Sequence, residues 1–210
     1  MKILVLGSTG ATGRAFTSLA VQRGHTVRVL VRDASSPHLS EGVEVVTGDA
    51  RSGESLTTAM AGVDITVSAL GMGLKTTPTG LMVDAAKALI TGASATHTNR
   101  LVMLSSWGVG DTLRRSSLPV RLMYLAGRRV HNEKATAEAL LRASSLDWTF
   151  VYPVALTNGA ATGLVRARDL DEVDRIPGTP HISRLDVSQS MIEITEADSW
   201  IRRTVVLDTE

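Results

Sequence analysis

Glycine recurs at positions 7, 10 and 13, directly after a four-residue apolar run (3–6) and before a segment with Phe16, Leu19 and Ala20 at helical spacing. That combination suits the binding of a dinucleotide phosphate. Gly7 makes the sharp exit from a strand, Gly10 leaves room for a pyrophosphate to approach the backbone, and Gly13 lets the helix pack closely on a sheet. The N–H groups and positive dipole at the helix N-terminus, around Ala11, then face the phosphates. Ser8, Thr9 and Thr12 add hydroxyl donors. The spacing is GxxGxxG, and its meaning comes from the strand before it and the helix after it. A tight structural turn is the alternative reading.

The end of the second apolar run, 26–31, decides which dinucleotide fits. NAD calls for an acidic residue there, accepting from the ribose hydroxyls. Here the run ends Val31-Arg32-Asp33. A guanidinium forks onto a 2′-phosphate and stacks on adenine, so Arg32 predicts NADP(H) over NAD(H). Asp33 is the residue that would take a ribose hydroxyl instead. Asp49, followed by Ala50, ends a third run (43–46) and is placed to meet the adenine edge. The same carboxylate also suits the N-cap of a helix after Ala50.

Such residues need a sheet that brings the ends of its strands to one edge. Strand-like runs at 3–6, 26–31, 43–46, 64–70, 101–104 and 148–152 alternate with helical patterns, among them 55–60, 81–90 and 120–143. The alternation predicts an α/β fold of one domain over 1–210, with a doubly wound parallel sheet of six to seven strands and helices on both faces. Ligands of such sheets bind outside the carboxyl ends of the strands, at the topological switch point. Ala69, Leu70, Gly71 and Met72 are therefore expected beside a nicotinamide, while Lys75 in the same loop reads as solvated. Residues 154–180 contain three prolines and glycines in series (Pro177, Gly178, Pro180) after Gly159 and Gly163, with no clear period. Long irregular segments are often functional, so this one is a candidate substrate lid. Asp186 and Gln189 read as the start of a helix over 187–194, and 204–207 as a last strand.

Composition removes several classes of function. Cysteine is absent, which excludes disulfides, thiolate metal sites and a cysteine nucleophile; no metal site is expected. Net charge is +1 and aromatics are 3%, against a nucleic-acid partner. No apolar run approaches a membrane span, so no membrane partner is expected and the chain reads as cytoplasmic. Of 22 basic residues only Lys2, Lys75, Lys87 and Lys134 are lysines, which narrows any chemistry that needs an amine.

The run from Gly7 to Arg14, then Leu30-Val31-Arg32-Asp33, Gly48-Asp49, Ser68-Ala69-Leu70-Gly71, Ser105-Ser106, Asp147-Trp148-Thr149 and Ile182 to Val187 together resemble the atypical short-chain dehydrogenase/reductases. Within these the chain is similar to the NAD(P)H-binding, NmrA-like group that includes biliverdin-IXβ/flavin reductase. The resemblance implies a Rossmann fold, an NADP(H) preference and a nicotinamide beside the ends of strands four to six, where Ser105, Tyr152 and Pro153 join the cofactor contacts.

The wider family uses Ser, Tyr and Lys, the last two as Tyr-x-x-x-Lys on one helix, to move a proton to or from a substrate oxygen. Ser106 stands at the serine position and Lys134 at the lysine position, where it would also hold the nicotinamide ribose. Four residues before Lys134 is Val130, not tyrosine, and Tyr124 is about 15 Å away along a helix axis. His131, one turn from Lys134, is an alternative proton donor. After strand six the chain reads Pro153-Val154-Ala155, without the histidine of the biliverdin/flavin enzyme. Reduction of a flavin or quinone asks less of the protein than alcohol chemistry, since the cofactor supplies hydride and water can supply a proton. The reading is an NADPH-dependent reductase of a small-molecule acceptor, acting as monomer or homodimer. The alternative is a non-catalytic NADP(H)-binding regulator.

Overall fold

In the computed structural model, which describes residues 1–36, 41–71, 80–126 and 128–209, the opening apolar run is buried on both faces. It forms β1 (Lys2–Leu6), with Ile3 to Leu6 at 0% exposure. Parallel strands covered by helices on each side require this. The chain continues through α1 (Ala11–Gln22), β2 (Thr26–Val31), β3 (Glu44–Thr47), α2 (Gly53–Met60), β4 (Ile65–Ser68), α3 (Leu81–Thr96) and β5 (Arg100–Leu104). It goes on through α4 (Leu118–Ala126), α5 (Arg128–Arg142), β6 (Asp147–Pro153), β7 (Ala155–Thr157), β8 (Arg166–Asp169), β9 (His181–Ser183), α6 (Arg184–Glu196) and β10 (Arg203–Asp208).

The main sheet has the order β3-β2-β1-β4-β5-β6-β10-β8. The strand order reverses between β1 and β4, which is the switch point of a Rossmann sheet. Helices α1 and α6 pack together, and α2, α3 and α5 form a second packed series. Seven strands are parallel, and β8 pairs antiparallel with β10. The expected six to seven strands are thus exceeded by one. The addition comes from the 154–180 segment, which also supplies β7, paired with β9 in a separate small sheet.

That segment is tied to the body at several points. Arg115 donates to the carbonyls of Leu170 and Val173 at 2.9 and 3.0 Å. Asp186, buried, accepts from the backbone N–H of Thr162 and of Gly163 at 3.0 and 2.9 Å. The helix start expected at Asp186 shifts accordingly: Ser183 is the N-cap, its Oγ accepting from Asp186 N at 2.9 Å. Asp186 sits one turn in and anchors the loop instead.

Two buried side chains set helix positions around the site. Arg28, in the middle of β2, donates to the carbonyls of Ala59 and Ala61 at the C-terminus of α2, where a cation satisfies free carbonyls. Glu133 on α5 accepts from Met82 N in the first turn of α3 at 2.9 Å. Among the described residues no helix is long and apolar enough to cross a membrane. Met72 and Lys75 lie outside the described residues.

Candidate cofactor cleft and active site

The glycine loop turns as its spacing predicts. Gly7 has φ +79°, and a Cβ there would lie 2.7 Å from the carbonyl of Ala69. Gly13 presses on Gly7: a Cβ would come 2.1 Å from the Gly7 carbonyl oxygen. Gly10 differs from both. Its φ of −77° suits any residue, and a Cβ would meet only the Gly7 oxygen, at 3.3 Å. Gly10 is also the N-cap of α1, with no side-chain hydrogen bond capping it, so the first-turn N–H groups are open to an anion.

Thr9 and Gly10 border a cleft of about 710 Å³ at the carboxyl ends of β1, β2 and β4, within the range of small-molecule sites. Arg32, Asp33, Asp49, Ala50, Ala69, Leu70 and Gly71 line it as well. The open helix start and the glycine floor fit a dinucleotide phosphate. Ser8, Ala11, Thr12 and Gly13 do not line the cleft; Ser8 is buried and its Oγ has no protein partner.

At the ribose end the two carboxylates are already engaged. Asp33 accepts from Ser35 N and Ser35 Oγ at 2.9 and 2.7 Å, and these bonds hold its pKa below the usual carboxylate range. Asp49 pairs with Arg51, Nη2 to Oδ2 at 2.7 Å, which also lowers its pKa. Asp49 is not the helix cap: α2 begins at Ser52, whose side chain accepts from Ser55 N. Arg51, which the sequence reading missed, therefore borders the cleft beside Arg32.

Beyond the switch point, Lys134 Nζ donates to Ser106 Oγ at 3.4 Å. Ser106 follows β5 and Lys134 lies on α5, so the topology brings together two residues 28 apart. Burial pushes the Lys134 pKa down, and Glu138 opposes that shift. His131 packs its ring on Tyr124, centroids 4.2 Å apart. Burial, with Lys134 beside it, lowers its pKa to about 4. That shift disfavours the imidazolium near neutral pH and so weighs against His131 as an alternative proton donor. Tyr124 does not take the missing role either, because its hydroxyl donates to the carbonyl of Trp107 at 2.5 Å.

Two further expectations change. Ser105 and Tyr152 are buried, and their hydroxyls both donate to Glu138, one to each carboxylate oxygen. Their side chains are committed to the protein, not to a cofactor. Pro153 ends β6, and its carbonyl accepts from Trp107 N at 2.9 Å. Glu138 itself escaped the sequence reading. Lys134 and Glu138 at i and i+4 look like an ordinary helix-surface pair.

A second cavity, about 350 Å³, lies at the carboxyl ends of β5 and β6. Trp107, Pro119, Val120, Tyr124, Val154 and Ile176 give it mainly apolar walls, and residues 178–181 close it. Since β4 and β5 are neighbours in the sheet, this cavity and the cleft lie at the same edge of it; Ser106 and Lys134 line neither.

Residues 7–198 match the model of a family described as NAD(P)H-binding, and the chain belongs to that family. It is 30% identical over 154 residues to the photosystem II assembly factor Ycf39 of Cyanophora paradoxa, covering 71% of this chain and 44% of that one. It is 26% identical over 177 residues to isoflavone reductase of Glycine max, covering 74% and 51%. The chain thus spans about half the length of these curated relatives. Its fold is shared over 99% of its length with the structure of ChuY, an anaerobilin reductase of Escherichia coli O157:H7, at TM-score 0.80 and 24% identity, covering 96% of that chain.

Proposed function

We propose that the protein is an NADPH-dependent reductase that passes hydride to a small planar acceptor such as a flavin, a quinone or a related conjugated carbonyl. The observation that supports this reading is that a cleft with an open helix start, the Ser106–Lys134 pair and a mainly apolar cavity all lie at the carboxyl-end side of one sheet. A planar conjugated ring suits the aromatic and aliphatic walls of that cavity. The reductase names of two similar proteins agree with it.

NADPH, when bound, supplies the hydride. The protein holds its phosphates at the start of α1 and its 2′-phosphate at Arg32. Lys134 as an ammonium has only protons to give, so Ser106 Oγ accepts from it and directs its own proton toward the acceptor oxygen or nitrogen. Residues 154–180 act as the wall over the acceptor, held down by Arg115 and Asp186.

The test is steady-state NADPH oxidation with flavins and quinones as acceptors. Turnover that saturates with at least one of them, and weakens in Ser106→Ala, is expected. Tight NADPH binding with no turnover on any acceptor would favour the second reading, a non-catalytic NADP(H)-binding regulator. Val130 at the place of the family's tyrosine is the observation on that side.

A further inference from the structure

On α5 the residues Lys134, Glu138 and Arg142 follow at intervals of four, which stacks them along one face. Glu138 is the innermost, 3% exposed. Both of its oxygens accept hydrogen bonds, from Ser105 after β5 and from the Tyr152 hydroxyl on β6. Arg142 Nη2 stands 3.8 Å from Oε2. Arg142 is itself committed elsewhere: it donates to Thr204 Oγ1 at 2.8 Å and its guanidinium lies over the rings of Trp148 and Phe150. Lys134 reaches Ser106 Oγ and forms no ion pair within 4 Å among the described residues. Adjacent serines thus hold the two members of one helix pair, Ser106 the base and Ser105 the acid.

A carboxylate this deep is costly unless it is paired and hydrogen-bonded. The hydroxyls of Ser105 and Tyr152 fix where its charge sits, and the charge sits one helical turn from Lys134. We propose that Glu138 is a positioning residue, a buried counter-charge locked by Ser105 and Tyr152 that keeps Lys134 an ammonium at Ser106. The consequence concerns hydrogen-bond polarity. An ammonium only donates, so Ser106 keeps its own proton free for the acceptor. A neutral amine would offer a lone pair to that proton and turn the serine away.

The surroundings act in both directions. Burial acts against the ammonium of Lys134, and Glu138 is the carboxylate whose charge acts for it. Burial, the largest influence, leaves the Glu138 pKa raised; the hydrogen bonds from Ser105 and Tyr152, and then the charges of Arg142 and Lys134, act against that rise. His131, one turn before Lys134, has its own pKa lowered to about 4, by burial first and by the Lys134 charge second. Glu133 is bonded to Met82 N on α3, the helix that also carries Asp84 and Lys87. Asp111 and Arg115 line, together with Glu138, Arg142 and Tyr152, a cavity of about 320 Å³.

The inference rests on the reading that Lys134 works at the nicotinamide end, yet its test needs no acceptor. Four lysines in the chain make lysine-labelled protein readable by NMR, with Lys134→Arg to assign the signal. Titration should show the Lys134 pKa falling by about one unit or more in Glu138→Gln, the size of shift that a nearby opposite charge produces. Tyr152→Phe, which keeps the charge and removes one lock, should move it by less than about half of that. Coupling is reciprocal, so Lys134→Met should raise the Glu138 pKa by a matching amount, which covers the case in which Glu138→Gln does not fold. A Lys134 signal that titrates unchanged in Glu138→Gln, or a Glu138 that titrates unchanged in Lys134→Met, overturns the proposal and leaves Glu138 a structural residue. If the shifts appear but no acceptor is turned over, the counter-charge stands and the reductase reading fails by itself.

Discussion

Gly10 and Gly13 belong to one motif, yet the structure assigns them different work, and alanine separates the two. In Gly13→Ala the new methyl would lie 2.1 Å from the Gly7 carbonyl oxygen and 2.8 Å from its carbon. Both are backbone atoms, so α1 must move off the β1 turn by roughly 1 Å to restore ordinary contact. Overpacking against side chains costs about 1–3 kcal/mol, and an unyielding backbone puts this case at about 3 kcal/mol or more. For a chain of this length each kcal/mol lowers Tm by about 2–4 °C, so the fall should be about 6–12 °C. In Gly10→Ala the methyl meets one oxygen at 3.3 Å and the backbone is already in a common region. The lost N-cap glycine and the gained chain stiffness nearly cancel, so Tm should stay within about 4 °C. On the proposed reading, however, that methyl stands where the pyrophosphate would approach. Losing one charge-assisted bond of about 1.5–3 kcal/mol raises the NADPH Kd roughly 10- to 150-fold. Calorimetric melting without cofactor and titration calorimetry with NADPH give both numbers. A Gly10→Ala protein that binds NADPH within about twofold of the parent refutes the placement of the phosphate. A Gly13→Ala protein with unchanged Tm refutes the packing argument.

Further outcomes follow from the same geometry. Arg32→Ala should weaken NADPH by about 1.5–3 kcal/mol and NADH hardly at all, as measured by titration; equal losses would remove the 2′-phosphate from Arg32. Lys134→Ala should weaken NADPH binding and turnover together, whereas Ser106→Ala should lower kcat roughly tenfold or more with NADPH affinity kept, below the range for a full general acid. His131 has a folded-state pKa near 4 against 6.5 when unfolded, so between those values the unfolded chain binds the extra proton. Stability should therefore fall as pH drops from about 6.5 to 4 and be indifferent to this group above. Melting curves of His131→Gln should be flatter over that window, and an equal slope in both proteins would place the acid sensitivity elsewhere. Asp186→Ala leaves the N–H groups of Thr162 and Gly163 without their acceptor, costing about 1–3 kcal/mol, and proteolysis should find 158–165 first.

The parts of the fold that could be read in sequence are those whose cause is local. A short apolar run that ends in glycine, such as 3–6, reads as a strand covered on both faces, and at Gly7 and Gly13 the turn leaves no room for a side chain. Edges of elements are less determined. Ser183 and Asp186 are both capping types, and what chooses between them is a loop more than 20 residues away that needs the Asp186 carboxylate. Strand β8, Arg-Ala-Arg-Asp, carries no apolar alternation because it is an edge strand held by charge: Arg166 and Arg168 both meet the buried Asp208 of its partner. Its pairing is specified by these ion pairs across to β10 and not by a hydrophobic pattern of its own.

The same distinction explains why half of the candidate site was legible. Ser106 and Lys134 stand at positions that a family pattern marks, and their approach follows from the order of β5 and α5. Glu138 has no such mark. A Lys–Glu pair four residues apart reads as solvated helix surface, and burial of that turn depends on Trp148, Phe150 and Tyr152 of a strand not yet formed when the helix is read. Ser105 and Tyr152, taken alone, look like donors for a cofactor because both sit at strand ends on the ligand edge. Only the folded sheet shows that each hydroxyl turns inward to one oxygen of the same carboxylate. With valine at position 130 the chain has no tyrosine hydroxyl one turn before Lys134, so on the proposed reading any proton at the acceptor comes through Ser106. Glu138, one turn after Lys134, is the buried acid on the same helix face, and its charge acts for the ammonium that Ser106 needs.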